Sequence, residues 1–505
     1  MKQKFSHLFL LIFLLGIAAA VRFYKINTPL ADWHSWRQAD TASVTREFIK
    51  HDYSLLTPRY HDLSSIPNGL NNPEGYRMVE FPLVNFGIAQ VIRANPQLDL
   101  IVTSRVVSVA FSLVTIVSLY GLVFQLTRRR RLAFLTGVIY ALLPYIVFYS
   151  RVILPEPIMV ASQVFSLWMF NWWLQNQETA GTRHPKSVLL YLLSLVGLAF
   201  SLLLKPTAVF IAPAYLVLSL NYFGWKAVFS PWLWGYVLLG AAPVVWWRNW
   251  IKQFPAGIPA SSWLLNGNGI RLRPAWWRWL FADRIARLIL GYWGVFFVGL
   301  GLLNRVKTHL KRTSLFEQLT LSWAAGMLLY LIVFATGNVQ HDYYQAMLAP
   351  IMAILFARGL DWLISQLLSH HSSISRRLVA LPAIGIMLGL TFFLAWWEVR
   401  GYYNINNPDM VAAGQRVDQL TPADAKVIAP YGGDTAFLFQ TNRTGWPVGG
   451  DIDQMISHGA THYVTTAKDQ EAQALMEKYA VLEETDQYVI IDLQDQPAPE
   501  REVMN

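Results

Sequence analysis

Four short stretches of this sequence bring acids, bases and rings together in patterns suited to proton transfer or anion binding. The first is Asp32-Trp33-His34-Ser35-Trp36-Arg37-Gln38-Ala39-Asp40-Thr41-Ala42. A carboxylate at the mouth of a cavity serves as general base, taking a proton from an acceptor hydroxyl or amine. Asp40 and Asp32 are both eligible, with His34 and Arg37 beside them as binding groups. The second is Arg151-Val152-Ile153-Leu154-Pro155-Glu156-Pro157. Proline restricts the residue before it, so Glu156 between two prolines reads as part of a rigid, extended turn. The third is Lys205-Pro206, and the fourth is His341-Asp342-Tyr343-Tyr344, followed by Pro350. Each has a plain structural explanation when taken alone: a solvated connector, a lysine snorkelling to the interface, or a polar helix start with interfacial tyrosines. Their order and sidedness carry more than any one of them.

The elements that must position these residues are membrane helices. Of 505 residues, 54% are hydrophobic and only 14% charged, with 21 Trp and 28 Phe, and the mean hydropathy is +0.33. Soluble domains carry about 25% charged residues. The shortfall, with the surplus of aromatics, is what lipid-facing helices with interfacial belts require. The formal net charge of +10 comes from short basic runs between apolar stretches, which is a topology signal and not a nucleic-acid footprint. Cysteine is absent, which excludes disulfides, thiolate catalysis and cysteine-ligated metals.

A bilayer core takes about 20 apolar residues per helix. On that criterion the sequence predicts about eleven spans, near 6–23, 100–126, 132–150, 157–175, 187–204, 207–222, 231–247, 286–303, 316–336, 345–367 and 378–397. The start, Lys2 to Lys4 ahead of an apolar run, reads as an uncleaved first helix. A long polar loop, 24–99, separates the first two spans. The runs Arg128 to Arg131, Arg305 to Arg312 and Arg376-Arg377, with Lys2 and Lys4, then share one side, which the positive-inside rule makes cytoplasmic. The four chemical stretches fall on the opposite side, where they can meet at one cavity.

The segment 248–287 breaks the charge rule. It carries Arg248, Lys252, Arg271, Arg273, Arg278, Arg284 and Arg287 against Asp283 on the outer side. Guanidinium forks bind phosphate, so these cations suit an anionic ligand, or equally lipid headgroups beside Trp276, Trp277 and Trp279. After residue 399 the material changes. Val427-Ile428-Ala429, Tyr463-Val464-Thr465 and Tyr488 to Ile491 read as short strands, with helical patterns near 409–420 and 467–479 between glycine turns. The expected organisation is a transmembrane domain over 1–399 and a small outer α/β domain over 400–505. No phosphate-binding loop is present, since Gly432-Gly433 and Gly449-Gly450 lack its spacing.

The acidic stretch after the first helix, Glu80-Phe81-Pro82-Leu83 late in the same loop, the Arg151 to Glu156 turn, Lys205-Pro206 and His341-Asp342-Tyr343-Tyr344 recur together in one family. Over roughly residues 5–400 the chain resembles the GT-C glycosyltransferases, in particular the bacterial relatives of protein O-mannosyltransferases and of the lipid A aminoarabinose transferase. The resemblance implies a mainly α, polytopic helical bundle in a bacterial inner membrane, its N-terminus cytoplasmic and its tail extracytoplasmic. It implies transfer of a sugar from a polyprenyl-phosphate donor to a glycolipid, glycan or protein acceptor, usually with inversion. The family's base is a first-loop acid. The adjacent Asp-Glu pair typical of the mannosyltransferases is missing here, so Asp40 is the first choice and Asp32 the second. Lys205 with Arg271 or Arg273 would neutralise the phosphate, while Glu156, His341 and Tyr344, with Glu80, His34, Arg37 and Arg151, would bind sugar or acceptor. No cofactor is required; a divalent ion held by Asp32, His34 and Asp40 remains open. The competing classes are a lipid-linked sugar flippase, a polysaccharide polymerase or ligase, and a noncatalytic subunit. Transporters often show internal repeats and helices broken near the midplane; no repeat is evident, and the charges crowd one face.

Overall fold

The computed structural model describes residues 2–180, 184–303, 314–369 and 374–495. The chain is mainly helical and divides into two units. A membrane unit comprises Met1–Ile26, Arg105–Asn249 and Ser261–Gly401, and a mixed unit comprises Asn27–Ser104, Trp250–Ala260 and Tyr402–Asn505.

In the membrane unit, six helices among the described residues are long and apolar enough to cross a bilayer, or up to seven if a bent pair is one span. That is fewer than the eleven expected. The remaining stretches are helical too, over Lys2–Arg22, Arg130–Leu142 with Pro144–Tyr149, Pro155–Ala180 and Pro231–Trp250. The last three fall short for local reasons. Pro144 lacks the N–H that would continue its helix, Gln163 and Asn171 dilute the third, and Arg248 and several tryptophans dilute the fourth. The expected span 286–303 is itself the bent pair, Pro274–Ile289 and Gly294–Leu303, meeting at 113°. Gly291 and Tyr292 at the break have φ of 52° and 60°, a left-handed turn that no continuous helix contains.

Polar groups inside apolar helices need partners. Ser166 and Ser194, on Pro155–Ala180 and Pro185–Leu204, meet Tyr215 and Tyr236 in a buried knot. Tyr215 donates to Ser166 Oγ at 2.7 Å, and Tyr236 and Ser194 hydroxyls lie 2.6 Å apart. Arg129 and Arg131 of one basic run pair with the buried Asp361. The run Arg305 to Arg312 lies outside the described residues, as do the side chains of Lys2, Lys4 and Arg376.

The mixed unit is built on a five-stranded sheet. Its strands are β1 (Lys426–Ile428), β2 (Thr444–Trp446), β3 (His462–Thr465), β4 (Ala480–Glu484) and β5 (Val489–Asp492), in the order β2-β1-β3-β5-β4. β1 runs parallel to β2 and β3, and β5 runs antiparallel to β3 and β4. Strand side chains alternate between faces. Val427, Val464 and Ile490 pack on one side with Ala31 and Phe437; Ile428, Tyr463, Val489 and Ile491 pack on the other with Leu63 and Trp446. Each core therefore contains a residue of the first loop. That loop also extends the sheet: Asp62 bridges Gly445 in parallel, with Gly445 N–H donating to His61 O at 2.9 Å and Leu63 N–H to Gly445 O at 2.8 Å. Gly445 has φ 157°, and any Cβ there would strike the Val427 backbone.

Two helices give the loop its body, Ser35–Lys50 and Leu83–Ala94. The short segment Trp250–Ala260 is clamped to it. Asn68 Nδ2 donates to the carbonyls of Pro255 (2.9 Å), Ala256 (3.1 Å) and Ile258 (2.8 Å), and Trp250 Nε1 donates to Leu56 O at 2.9 Å.

Candidate functional site

In the membrane unit, two charges meet at helix ends. Glu156 occupies the first turn of Pro155–Ala180, so it is helical and not in the extended turn that its two prolines suggested. Proline suits the first helical position because its missing N–H is unsatisfied there anyway. Lys205 is the C-cap of Pro185–Leu204, extended at φ −149° ahead of Pro206. A carboxylate at a helix N-terminus and a cation at a C-terminus both complement the helix dipole. Lys205 Nζ donates to Glu156 Oε1, with the Glu156 side chain 2% exposed and that of Lys205 14%. Glu156 Oε2 is buried without a hydrogen-bond partner, on a small pocket shared with Tyr140, Tyr145, Tyr149 and Ser150.

Rings enclose the cation. Lys205 Nζ lies 4.8 Å from the Tyr344 centroid and 5.4 Å from that of Tyr343, within cation–π range. His341 is 5.4 Å from Tyr343, 5.9 Å from Tyr344 and 5.7 Å from Trp263, centroid to centroid. Asp342 is held by two tyrosines: Tyr149 OH donates to its Oδ1, and Tyr145 OH to its carbonyl at 2.6 Å. Thus Glu156, Lys205, His341 and Tyr344 lie together, joined by Tyr343, Tyr145 and Tyr149. The two tyrosines at i and i+4 just ahead of Arg151 were the available signal for the last pair.

The arginines divide. Arg151 is fully buried and its Nη1 donates to Lys25 O at 3.1 Å. Arg271 Nη2 is held by the carbonyls of Leu265 and Val333, each at 3.0 Å. Arg284 bonds Asp283 and the Val339 carbonyl, and Arg287 bonds Asp283 and Glu398. Arg273 and Arg278 are exposed.

The first-loop residues belong to the mixed unit. Helix Ser35–Lys50 starts on His34 at φ 56° with no side-chain cap, a left-handed conformation that costs a residue with a Cβ about 1 kcal/mol or more. Asp40, 4% exposed, accepts from Arg77 Nη2 at 2.7 Å on Oδ2 and from Thr435 Oγ1 at 2.8 Å on Oδ1. Asp32 is fully buried and accepts from Gln38 Nε2 at 2.7 Å. Arg37 pairs with Glu80, bringing two expected binding residues together. Asp32, His34 and Asp40 do not form a cation cage: among the described residues no three acids or histidines could hold a metal ion. Asp40 is turned to Arg77 and Thr435, and Asp32 to Gln38.

One acid here was missed. Burial pushes the half-buried Asp434 carboxyl up to about 6, against the Ala436 N–H bond that lowers it, and the neighbouring Asp40 charge adds to the rise. It follows Gly432 and Gly433, with φ of 62° and 83°. That glycine turn was visible in the sequence, but its nearness to Asp40 depends on tertiary structure. Asp62 is likewise raised to about 6 by burial, against hydrogen bonds from Ser64.

A family model described as dolichyl-phosphate-mannose-protein mannosyltransferase matches residues 85–246. No curated protein sequence matches the chain. Among solved structures, ArnT from Cupriavidus metallidurans bound to undecaprenyl phosphate superposes with a TM-score of 0.64 at 12% identity, over 97% of this chain and 99% of that one. The archaeal oligosaccharyltransferase AglB from Archaeoglobus fulgidus, in complex with an inhibitory peptide and a dolichol-phosphate, gives 0.60 at 13%, over 95% of this chain and 73% of that one. At such identities the shared property is the fold.

Proposed function

We propose that the chain is a membrane glycosyltransferase that moves a sugar from a polyprenyl-phosphate donor to an acceptor outside the cytoplasm. The observation that carries this reading is the Lys205–Glu156 pair at two membrane helix ends, ringed by Tyr343 and Tyr344, with one carboxylate oxygen still unbonded. Support comes from the fold shared with ArnT bound to undecaprenyl phosphate and with AglB bound to a dolichol-phosphate.

In this mechanism Lys205 neutralises the donor phosphate, and the free oxygen of Glu156 accepts a hydrogen bond from a sugar hydroxyl. The acceptor oxygen or nitrogen attacks the anomeric carbon as the bond to the phosphate oxygen breaks. The electron pair leaves with the phosphate, and cationic stabilisation of that charge lowers the barrier. A first-loop aspartate takes the acceptor's proton, Asp40 ahead of Asp32. A carboxylate has about four acceptor sites, so Asp40 keeps capacity beyond its bonds to Arg77 and Thr435. Arg273, exposed, is available to the phosphate; Arg271 is committed to carbonyls. An apolar cavity of about 390 Å³, lined by residues such as Leu198, Leu202, Val209, Leu216 and Val237, takes part of the isoprenoid tail.

The test is sugar transfer in membranes carrying the wild type, Lys205→Met or Asp40→Asn, with a radiolabelled pool of polyprenyl-phosphate sugars. Transfer by the wild type and its loss in both variants at normal expression support the donor site and the base. Translocation of intact donor without bond cleavage sinks the transferase reading in favour of a flippase.

A further inference from the structure

The mixed unit contains a second cavity, of about 440 Å³, walled by first-loop residues on one side and by the turn and helix after β2 on the other. Six polar side chains face it: Ser64, Ser65, Asn71, Asp451, Gln454 and His458. Together they supply hydroxyls, carboxamides, a carboxylate and an imidazole, so the lining offers both donors and acceptors. No lysine or arginine lines it, which disfavours phosphate and other anions. Trp446 and Met455 add an apolar floor.

The walls are fixed before any ligand arrives. Glu471 accepts from Gly450 N–H at 2.6 Å and from Tyr463 OH at 3.1 Å, pinning the turn against β3. Asp62 Oδ1 accepts from Ser64 N–H at 2.8 Å. Asn72 closes the far end of the loop, its Oδ1 accepting from Tyr76 N–H at 3.0 Å and its Nδ2 donating to Tyr76 O at 2.9 Å. Pre-organised polar groups around an apolar floor give a pocket orientation and specificity at low ordering cost.

A ligand matching this lining is uncharged, rich in hydroxyls that both donate and accept, and has an apolar C–H face. We propose that this cavity is a saccharide-binding site that holds one ring of the acceptor, making the acceptor a glycan or glycolipid and not a peptide. The word acceptor rests on the transferase reading; the binding of sugar does not.

The experiment is saturation-transfer difference NMR on the full chain in lipid nanodiscs, with methyl glycosides of glucose, galactose, mannose and N-acetylglucosamine as probes. At least one is expected to show ring-proton saturation. Asp451→Asn/Gln454→Ala, both exposed positions, is expected to weaken it by about tenfold or more, equivalent to about 1.4 kcal/mol. His458→Ala checks the same rim independently, and Arg416→Ala, outside the cavity lining, is expected to leave the signal unchanged. Absence of signal from all four probes overturns the proposal. So does a signal that survives the double variant and His458→Ala, or displacement of the sugar by the peptide Ala-Thr-Ser-Ala. Sugar binding without transfer from any lipid-linked donor refutes the transferase reading while this site stands.

Discussion

Both units bury a carboxylate against a cation, but they complete the pair differently. In the mixed unit, Asp40 is bonded on both oxygens, by Arg77 and by Thr435. The Arg77 guanidinium also lies 4.9 Å from the Tyr60 ring centroid. In the membrane unit, Glu156 meets Lys205 with one oxygen and leaves the other buried and unbonded. An unsatisfied buried acceptor costs about 1–3 kcal/mol, and such groups call for an explanation in function. The contrast teaches that a carboxylate engaged on both oxygens ties elements together, whereas one with an oxygen left unbonded is set for a ligand. Asp40 as base has to act from within the first kind of arrangement, which is why its role needs separate readouts for activity and stability.

The largest effect is expected from Arg77→Ala. It strands Asp40 in a buried site, and removing one partner of a buried pair costs about 3–5 kcal/mol, read as a lower melting transition of the mixed unit. An unchanged transition would break the comparison, because the doubly engaged carboxylate would then hold nothing together. Next comes Lys205→Met, expected to lower sugar transfer by the folded fraction about 10²–10³-fold, as loss of one transition-state charge stabiliser does, and also to lower thermal melting in nanodiscs because it strands the buried Glu156. If melting collapses and the surviving folded fraction transfers normally, the membrane pair is structural as well.

A smaller effect concerns pH. The Asp434 carboxyl is raised to about 6 from an ordinary 3.8. Between those values the unfolded chain has released the proton that the folded unit keeps, so stability falls as pH rises through that window and levels off above about 6. Wild type should therefore gain stability relative to Asp434→Asn when the pH is lowered from 7 to 4, in paired melting curves. Parallel curves would show that the carboxyl is not so raised. The smallest effect is at Arg416, whose bond to Glu483 lies on the surface. Exposed pairs are screened by water, and Arg416→Ala is expected to leave the melting curve in place.

Much of this fold was legible in the sequence, for physical reasons. Apolar runs of bilayer length announce themselves, and three strands of the tail were readable from β-branched residues that alternate between two buried faces. β2 and β4 were not. β2 is three residues around Gly445, and β4 is an edge strand whose Glu483 and Glu484 hide any alternation. Helix Ser35–Lys50 is largely buried yet polar, with a left-handed start and no capping side chain, so neither periodicity nor cap marked it. At the site, Glu156, Lys205, His341 and Tyr344 were readable because charge and aromatic residues at helix ends stand out against apolar neighbours. Thr435 and Arg77 were not, since an ordinary threonine and arginine acquire meaning only through the long-range pairing that brings them to Asp40.

The bridge between Asp62 and Gly445 has a consequence for how the protein is made. Synthesis delivers residues 27–104 early and the strands they complete hundreds of residues later. Contacts so distant in sequence form slowly because the intervening chain must first be closed into a loop. Until then Leu63 and Ala31 have no core to enter, and the His61 to Leu63 backbone has no strand beside it. A ribosome that stalls before the tail leaves an exposed, unpaired strand, the kind of surface that aggregates or draws proteolysis. The cores that Ala31 and Leu63 enter are therefore complete only once the tail has been made.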